Sequence, residues 1–270
     1  MLIWLRLAAA VLMSGAVTAA AAPADAPFDL IIDGGHVVDG TGSPWYTADV
    51  GIRDGHISAI GQLRSFAARQ RIDAAGLVVA PGFIDMLGQS EFTILVDPRL
   101  PSKIYQGITT EITGEGTSPA PMTGHARDEA DQALEHYGLK ADWQSLGEYF
   151  ARLERSGMGI NLASYVGATM VRKAVIGGAD RPATAPELAR MRALVREAMT
   201  DGAVGVSTSL EYAPAMYAST EELIALASEA APYGGIYATH MRSEGDGMVA
   251  ALEETFTSRA KRTFRRRSGT

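Results

Sequence analysis

From Leu77 to about residue 256 the chain repeats one pattern: a short, almost wholly apolar run, then a longer stretch with helical spacing. The apolar runs are Leu77–Met86, Thr109–Gly114, Gly159–Gly167, Ala203–Ser209 and Gly235–Met241. Between them, "TAPELARMRALVREAMTDG" opens on Thr184 and Glu187 in capping-box spacing, with Pro186 in the first turn. Leu188, Met191, Leu194, Val195 and Ala198 make one apolar face, and Gly202 is a stop signal. "STEELIALASEAAPYGG" repeats the scheme from Ser219 and Glu222 to Gly234. Strands without polar alternation, separated by amphipathic helices, predict a parallel sheet covered on its faces. A doubly wound sheet and a TIM barrel both satisfy this pattern, and the five runs fall short of a barrel's eight strands. No Gly-x-Gly-x-x-Gly or P-loop follows a strand, which argues against a nucleotide.

Upstream the pattern changes. "FDLIIDGGHVVDG" has two β-rich runs around Asp33-Gly34-Gly35, and "ADVGIRDGHISAIG" has two around Asp54-Gly55. Asp-Gly between strands is a hairpin signal, because a tight turn needs positive φ. "RIDAAGLVVAPGFID" adds a strand, a turn at Gly76 and an apolar run. Residues 27–80 therefore read as a small antiparallel β domain, and 81–256 as the strand-helix domain.

Residues 1–22 read as a signal peptide: Arg6, an apolar run to Ala22, and alanines at Ala20 and Ala22 as a cleavage pattern. The run is short for a span of about 20 residues, and Ser14, Gly15 and Thr18 dilute it. The expectation is a periplasmic or secreted protein with no stable membrane span after processing. There is no cysteine, so disulfides, thiolate metal sites and cysteine nucleophiles are excluded. The net charge of −7 conceals a tail, residues 257–270, dense in arginine and free of acid. An acidic, exported chain has no evident use for a nucleic-acid partner, so the tail reads as a solvated, disordered end.

In a barrel, chemistry sits where strands run into βα loops. Three such places carry candidates. After the first run come Leu87, Gln89, Ser90 and Glu91, of which leucine cannot hold a metal and glutamine is a weak ligand. After the second, Glu115 stands between Gly114 and Gly116, where flanking glycines let backbone approach a ligand closely. The carboxylate suits a metal or a base, and equally a solvated turn. After the fifth, His240 ends an apolar strand, with Arg242 and Glu244 beyond it, and a ligand role is the better reading there. The loop from Ser207 to Leu223 brings Glu211, Tyr212 and Tyr217, and its aromatics can line a pocket or pack within the loop. His36, His56, His125 and His136 read as surface residues.

Taken together, "DLIIDGGHVVDGTGSPWYTADVGIRDGHISAIG", "RIDAAGLVVAPGFIDM", "SKIYQGITTEITGEG" and "GVSTSLEYAPAMYASTEELIALASEAAPYGGIYATHMRSEGDGMVAALEE" resemble the N-acyl-D-amino-acid deacylase (D-aminoacylase) branch of the amidohydrolase superfamily, from about Asp29 to Glu254. The resemblance implies an incomplete (β/α)₈ TIM-type barrel, about five of eight strands, beside a small N-terminal β-sandwich. It implies amide hydrolysis by metal-activated water, on a small N-acyl amino acid or related amide. His240 falls on a metal-binding histidine of that family. Leu87 and Gln89 fall on two first-strand histidines, so those ligands are replaced. Gly116 stands where the family's deacylases place a bridging cysteine, and Glu115 beside it is the group able to substitute. The resemblance thus implies one divalent metal, zinc, on His240 and Glu115, with Tyr212, Gln89 and Arg242 toward substrate. It ends before the strands that in the family bring a further metal histidine and an acid–base aspartate. No catalytic residue is therefore assigned, and the chain is expected to be a truncated, inactive form. Two alternatives stand beside deacylation: hydrolysis of a cyclic amide or a D-residue peptide, and a non-catalytic binding protein on the same scaffold.

Overall fold

The computed structural model describes residues 27–264, without the side chains of residues 259–264. The expected signal peptide and residues 265–270 of the tail lie outside the described residues. Two compact units meet in sequence between Pro81 and Gly82.

The first unit is a five-stranded sheet. It contains β1 (Phe28–Val37), β2 (Tyr46–Arg53), β3 (His56–Gly61), β4 (Ala68–Asp73) and the short β5 (Val78–Val79), in the order β3-β2-β1-β4 with β5 also on β1. Asp54 and Gly55, both at positive φ, form the expected tight turn between β2 and β3. Asp33-Gly34-Gly35 does not turn the chain. β1 runs straight through it, with a break in register against β2 between Ile32 and Gly35. Gly34 sits at φ +67°, and its N–H is captured by Asp49 Oδ1 at 2.7 Å, while Asp49 Oδ2 takes Leu63 N–H at 2.7 Å. The buried Asp49 thus turns a sequence-local hairpin signal into a β-bulge. The sheet is also mixed, not antiparallel, because β4 and β5 both run parallel to β1. Its core is small: Phe28, Ile31 and Leu63. His36 is not a free surface residue. It is half-buried and stacks on Trp45 at 4.1 Å.

The run Leu77–Met86 is not one strand. Val78–Val79 pairs with β1, and β6 (Phe83–Asp85) pairs with β7 (Ile108–Thr113) in the second unit. Pro81, which has no N–H to give a ladder, lies at the break. From β6 onward the strands are parallel and follow sequence order. β6, β7 and β8 (Asn161–Ser164) form one sheet, and β9 (Val166–Gly167), β10 (Gly205–Ser209) and β11 (Ile236–His240) form another. Short helices α1 (Thr93–Val96) and α2 (Pro101–Ile104) follow β6. α3 (His125–Glu135) and α4 (Leu146–Ser156) follow β7, and α5 (Ala168–Ile176) and α6 (Ala185–Thr200) follow β9. α7 (Thr220–Ala230) follows β10, and α8 (Met248–Phe264) follows β11. This is an α/β fold.

The helix starts are local. Thr184 donates its N–H and its hydroxyl to Glu187, both at 2.8 Å, and Ser145 with Glu148 forms a second capping box before α4. α5 packs on α6, α6 on α7 and α7 on α8. One core joins Trp143, Tyr149, Leu153, Met191, Leu194, Val195, Val206 and Leu226. α8 continues through residues 257–264, into the stretch expected to be disordered. Between Met248 and Phe264 there is no glycine or proline, and alanine, glutamate, lysine and arginine all favour helix. Among the described residues no helix is long and apolar enough to cross a membrane.

Candidate functional site

Glu115 is presented by a backbone held on three sides. Glu91 Oε1 accepts Gly114 N–H at 3.2 Å, and the buried Ser207 hydroxyl donates to Gly114 C=O and accepts Gly116 N–H at 2.9 Å. A side chain at Gly114 would meet Tyr165 C=O at 2.6 Å, and one at Gly116 would meet Ser207's neighbour Ser209 at 2.7 Å. The close approach that the flanking glycines allow is therefore to neighbouring strand ends.

His240 closes β11, level with Ser209 of β10, and its C=O accepts Leu210 N–H at 2.9 Å. Three carboxylates face the imidazole: Glu115 Oε1 is 3.7 Å from Nδ1, while Glu211 Oε2 and Glu244 Oε1 are 3.5 and 3.4 Å from Nε2. Tyr212 stands edge-on to the ring at 5.6 Å. Glu244 N–H also donates to Glu211 Oε1 at 3.3 Å, which ties the two loops together. The structure thus gathers His240, Glu115 and Tyr212. Glu211 and Glu244 join them, although neither was assigned a role from sequence. Glu244 carried a signal, four residues after His240; Glu211 and Ser207 carried none, since Glu211 is placed by the pairing of β10 with β11 and Ser207 by its hydrogen bonds to the backbone that follows β7.

Gln89 is exposed and makes no hydrogen bond among the described residues. Arg242 is engaged elsewhere. It reaches Glu254 through Nε at 3.0 Å and Nη2 at 2.9 Å, Met216 C=O through Nη1 at 2.8 Å, and Ala218 C=O through Nη2 at 2.9 Å. Burial works to raise the Glu254 carboxyl, but hydrogen bonds from Arg242 and Thr220 hold it below the usual carboxylate range.

Behind the exposed Leu87 lies a cluster that sequence reading missed. Glu111 is fully buried, its Oε1 accepting Ser90 N–H at 3.1 Å and lying 3.5 Å from Lys103 Nζ. Lys103 also binds Asp85 at 2.6 Å, which holds the Asp85 carboxyl low. Glu111 Oε2 has no hydrogen-bond partner among the described residues. Gly88 is glycine because the Glu111 carboxylate lies across it: a Cβ there would come within 1.8 Å of Oε1. Burial pushes the nearby Glu91 carboxyl up.

Zinc in a catalytic site takes three protein ligands and a water. No group of three or more His, Asp or Glu side chains among the described residues is arranged to hold a metal ion. His240 and Glu115 supply two donors, Glu211 and Glu244 face the other imidazole nitrogen, and the described residues do not by themselves make a three-ligand site.

No protein-family model matches the chain. It is 44% identical over 231 residues to a D-aminoacylase of Alcaligenes xylosoxydans xylosoxydans, covering 85% of this chain and 48% of that protein. In structure it is similar to D-aminoacylase with a binuclear metal centre, at a TM-score of 0.81 and 42% identity over 87% of this chain and 50% of the other. Over the stretch it shares with them, the chain is similar to the N-acyl-D-amino-acid deacylases. The chain also matches N-acyl-D-glutamate deacylase from Bordetella bronchiseptica, solved with zinc and a phosphonate mimic of the tetrahedral intermediate. There the TM-score is 0.78 and the identity 38%, over 86% of this chain and 49% of that one. The chain spans about half the length of the deacylases it matches. Those relatives are metal-dependent amidohydrolases.

Proposed function

We propose that this chain belongs to the N-acyl-D-amino-acid deacylases and serves an amidohydrolase that cleaves the amide of an N-acyl-D-amino acid, yielding a carboxylic acid and a D-amino acid. The observation that carries the reading is the meeting of His240, Glu115 and Tyr212 at adjoining strand ends, in a chain 44% identical to a D-aminoacylase. In this reading the parallel strands, with β8 and β9 counted as one broken run, are about five of a TIM barrel's eight, and the sheet of the first unit is part of a β-sandwich module. His240 and Glu115 would be two of the donors to one divalent metal, zinc, which would supply Lewis acidity and an activated water when bound. Tyr212 is a wall for substrate, and Gln89, exposed at the end of β6, a polar contact. Residues 1–22 direct export.

A second reading has an observation of its own. The lack of a three-ligand group among the described residues favours a binding protein on a hydrolase scaffold. One assay separates the two: release of free D-amino acid from N-acetyl-D-amino acids by the purified full chain, with and without added zinc. Zinc-dependent release that disappears in His240→Ala supports the deacylase. Saturable binding of the same compounds without release supports the second reading.

A further inference from the structure

The loop after β10 brings both Glu211 and Tyr212 to His240, so whatever holds this loop sets the shape of the site. Its start is tied by Leu210 N–H to His240 C=O, at 2.9 Å. Its far side has a small apolar cluster of Leu210, Ala215, Ala218 and Leu223. The strongest directional contacts on that far side come from one guanidinium. Arg242 donates to the carbonyls of Met216 and Ala218, at 2.8 and 2.9 Å, and its other edge is gripped by Glu254 of α8. Glu254 is itself held by the Thr220 hydroxyl at 2.7 Å, at the start of α7. Arg242 lies two residues after His240. The same piece of backbone therefore carries the imidazole and fastens the loop that faces it.

We infer that Arg242 is a positioning residue, the latch of the 210–218 loop, and that Glu254 and Thr220 are its keeper. The role in substrate selection rests on the function proposed above; the latch itself does not. Every guanidinium nitrogen already carries a bond, and the one remaining N–H is on Nη1, so a substrate carboxylate could pair with this arginine in two-pronged fashion only by displacing Glu254 or a loop carbonyl. The planar fork satisfies a carboxylate on one edge and two carbonyls on the other, which a lysine ammonium on a flexible stem cannot reproduce. Releasing the latch leaves the Leu210 end tied and lets Tyr212 swing from its edge-on position against His240. Arg242 thereby governs which acyl or side-chain groups the Tyr212 wall admits, without touching them.

The test uses the full chain and two readouts that need no turnover: the nuclear Overhauser contact between the Tyr212 and His240 rings, and amide exchange along 211–218. Arg242→Ala and Arg242→Lys are both expected to remove the ring contact and speed loop exchange at least about tenfold, with α6 unchanged. Retention of the ring contact and of loop protection in folded Arg242→Ala overturns the proposal. If that variant fails to fold, Glu254→Gln takes its place: faster exchange confined to 211–218 supports the latch, and unchanged exchange overturns it. Should the parent chain be active, Arg242→Lys raises KM for bulky acyl groups more than for acetyl and changes kcat less. A parent that shows loop release in the variants but no turnover on any N-acyl-D-amino acid refutes the deacylase reading and leaves the latch standing.

Discussion

Nδ1 of His240 lies 3.7 Å from Oε1 of Glu115, across the ends of two strands distant in sequence. Two donors fall short of the ligand number that catalytic zinc uses. The expected outcome is weak zinc retention by the purified chain after dialysis, lowered further in His240→Ala and in Glu115→Gln. Elemental analysis at known protein concentration checks it. Equal retention in all three proteins removes both residues from any metal site.

Arg172 and Glu222 form the most buried ion pair described, with Nη1 at 2.8 Å from both carboxylate oxygens. The other arm of the guanidinium bonds Ala179 and Arg181 carbonyls. Glu222→Ala leaves a buried, uncompensated charge and should cost about 3–5 kcal/mol. Urea denaturation measures this, and an Arg172→Met, Glu222→Leu double variant should recover most of the loss.

A methyl group at Gly88 collides with the Glu111 carboxylate, which is fixed by Ser90 and Lys103. Gly88→Ala should destabilise by about 1–3 kcal/mol through overpacking. Combined with Glu111→Ala, which removes the obstacle, the effect should be less than additive. Strict additivity in denaturant melts would show that the two positions do not touch.

Glu91 titrates higher in the fold than in an unfolded chain, because burial disfavours its charge. Its contribution to stability is present at acid pH, and is lost as pH rises through the raised folded value. Glu91→Gln, which keeps an oxygen for Gly114 N–H, should therefore gain stability over the parent at pH 7 and lose that gain near pH 4. Glu229 and Glu254 work in the opposite sense. Arginine partners depress both against the pull of burial, so their contributions fade as pH falls. Comparing Glu91→Gln with the parent at each pH cancels those two.

Apolar side chains stand exposed along β6 and around β11: Phe83, Ile84, Met86 and Leu87 at one edge, Ile236, Val249 and Phe256 at the other. Exposed strand edges with apolar neighbours invite association. The purified chain should self-associate in light scattering, and Ile84→Lys with Val249→Glu should reduce it. Monodisperse parent protein at high concentration would contradict this.

Signals that act within a few residues were legible in advance. The Thr184–Glu187 cap, the Asp54-Gly55 turn and the strand-end place of His240 all depend on spacing along one element. Other features carry the same local signals and obey distant partners instead. Asp33-Gly34-Gly35 looks like a turn, but Asp49 captures Gly34 N–H and makes it a bulge. Glu222 has the spacing of a capping glutamate, but Arg172 claims its carboxylate; the Ser219 side chain alone caps α7. Arg242 looks like a substrate contact, but carbonyls of the preceding loop and a helix-borne glutamate consume it. The trio of half-buried Asp85 and Lys103 with buried Glu111 has no sequence signature, because it assembles only when β6 and β7 pair and α2 docks. A buried charge or unpaired donor must find a partner or pay its desolvation cost. Where that partner lies far along the chain, packing decides the outcome over local preference.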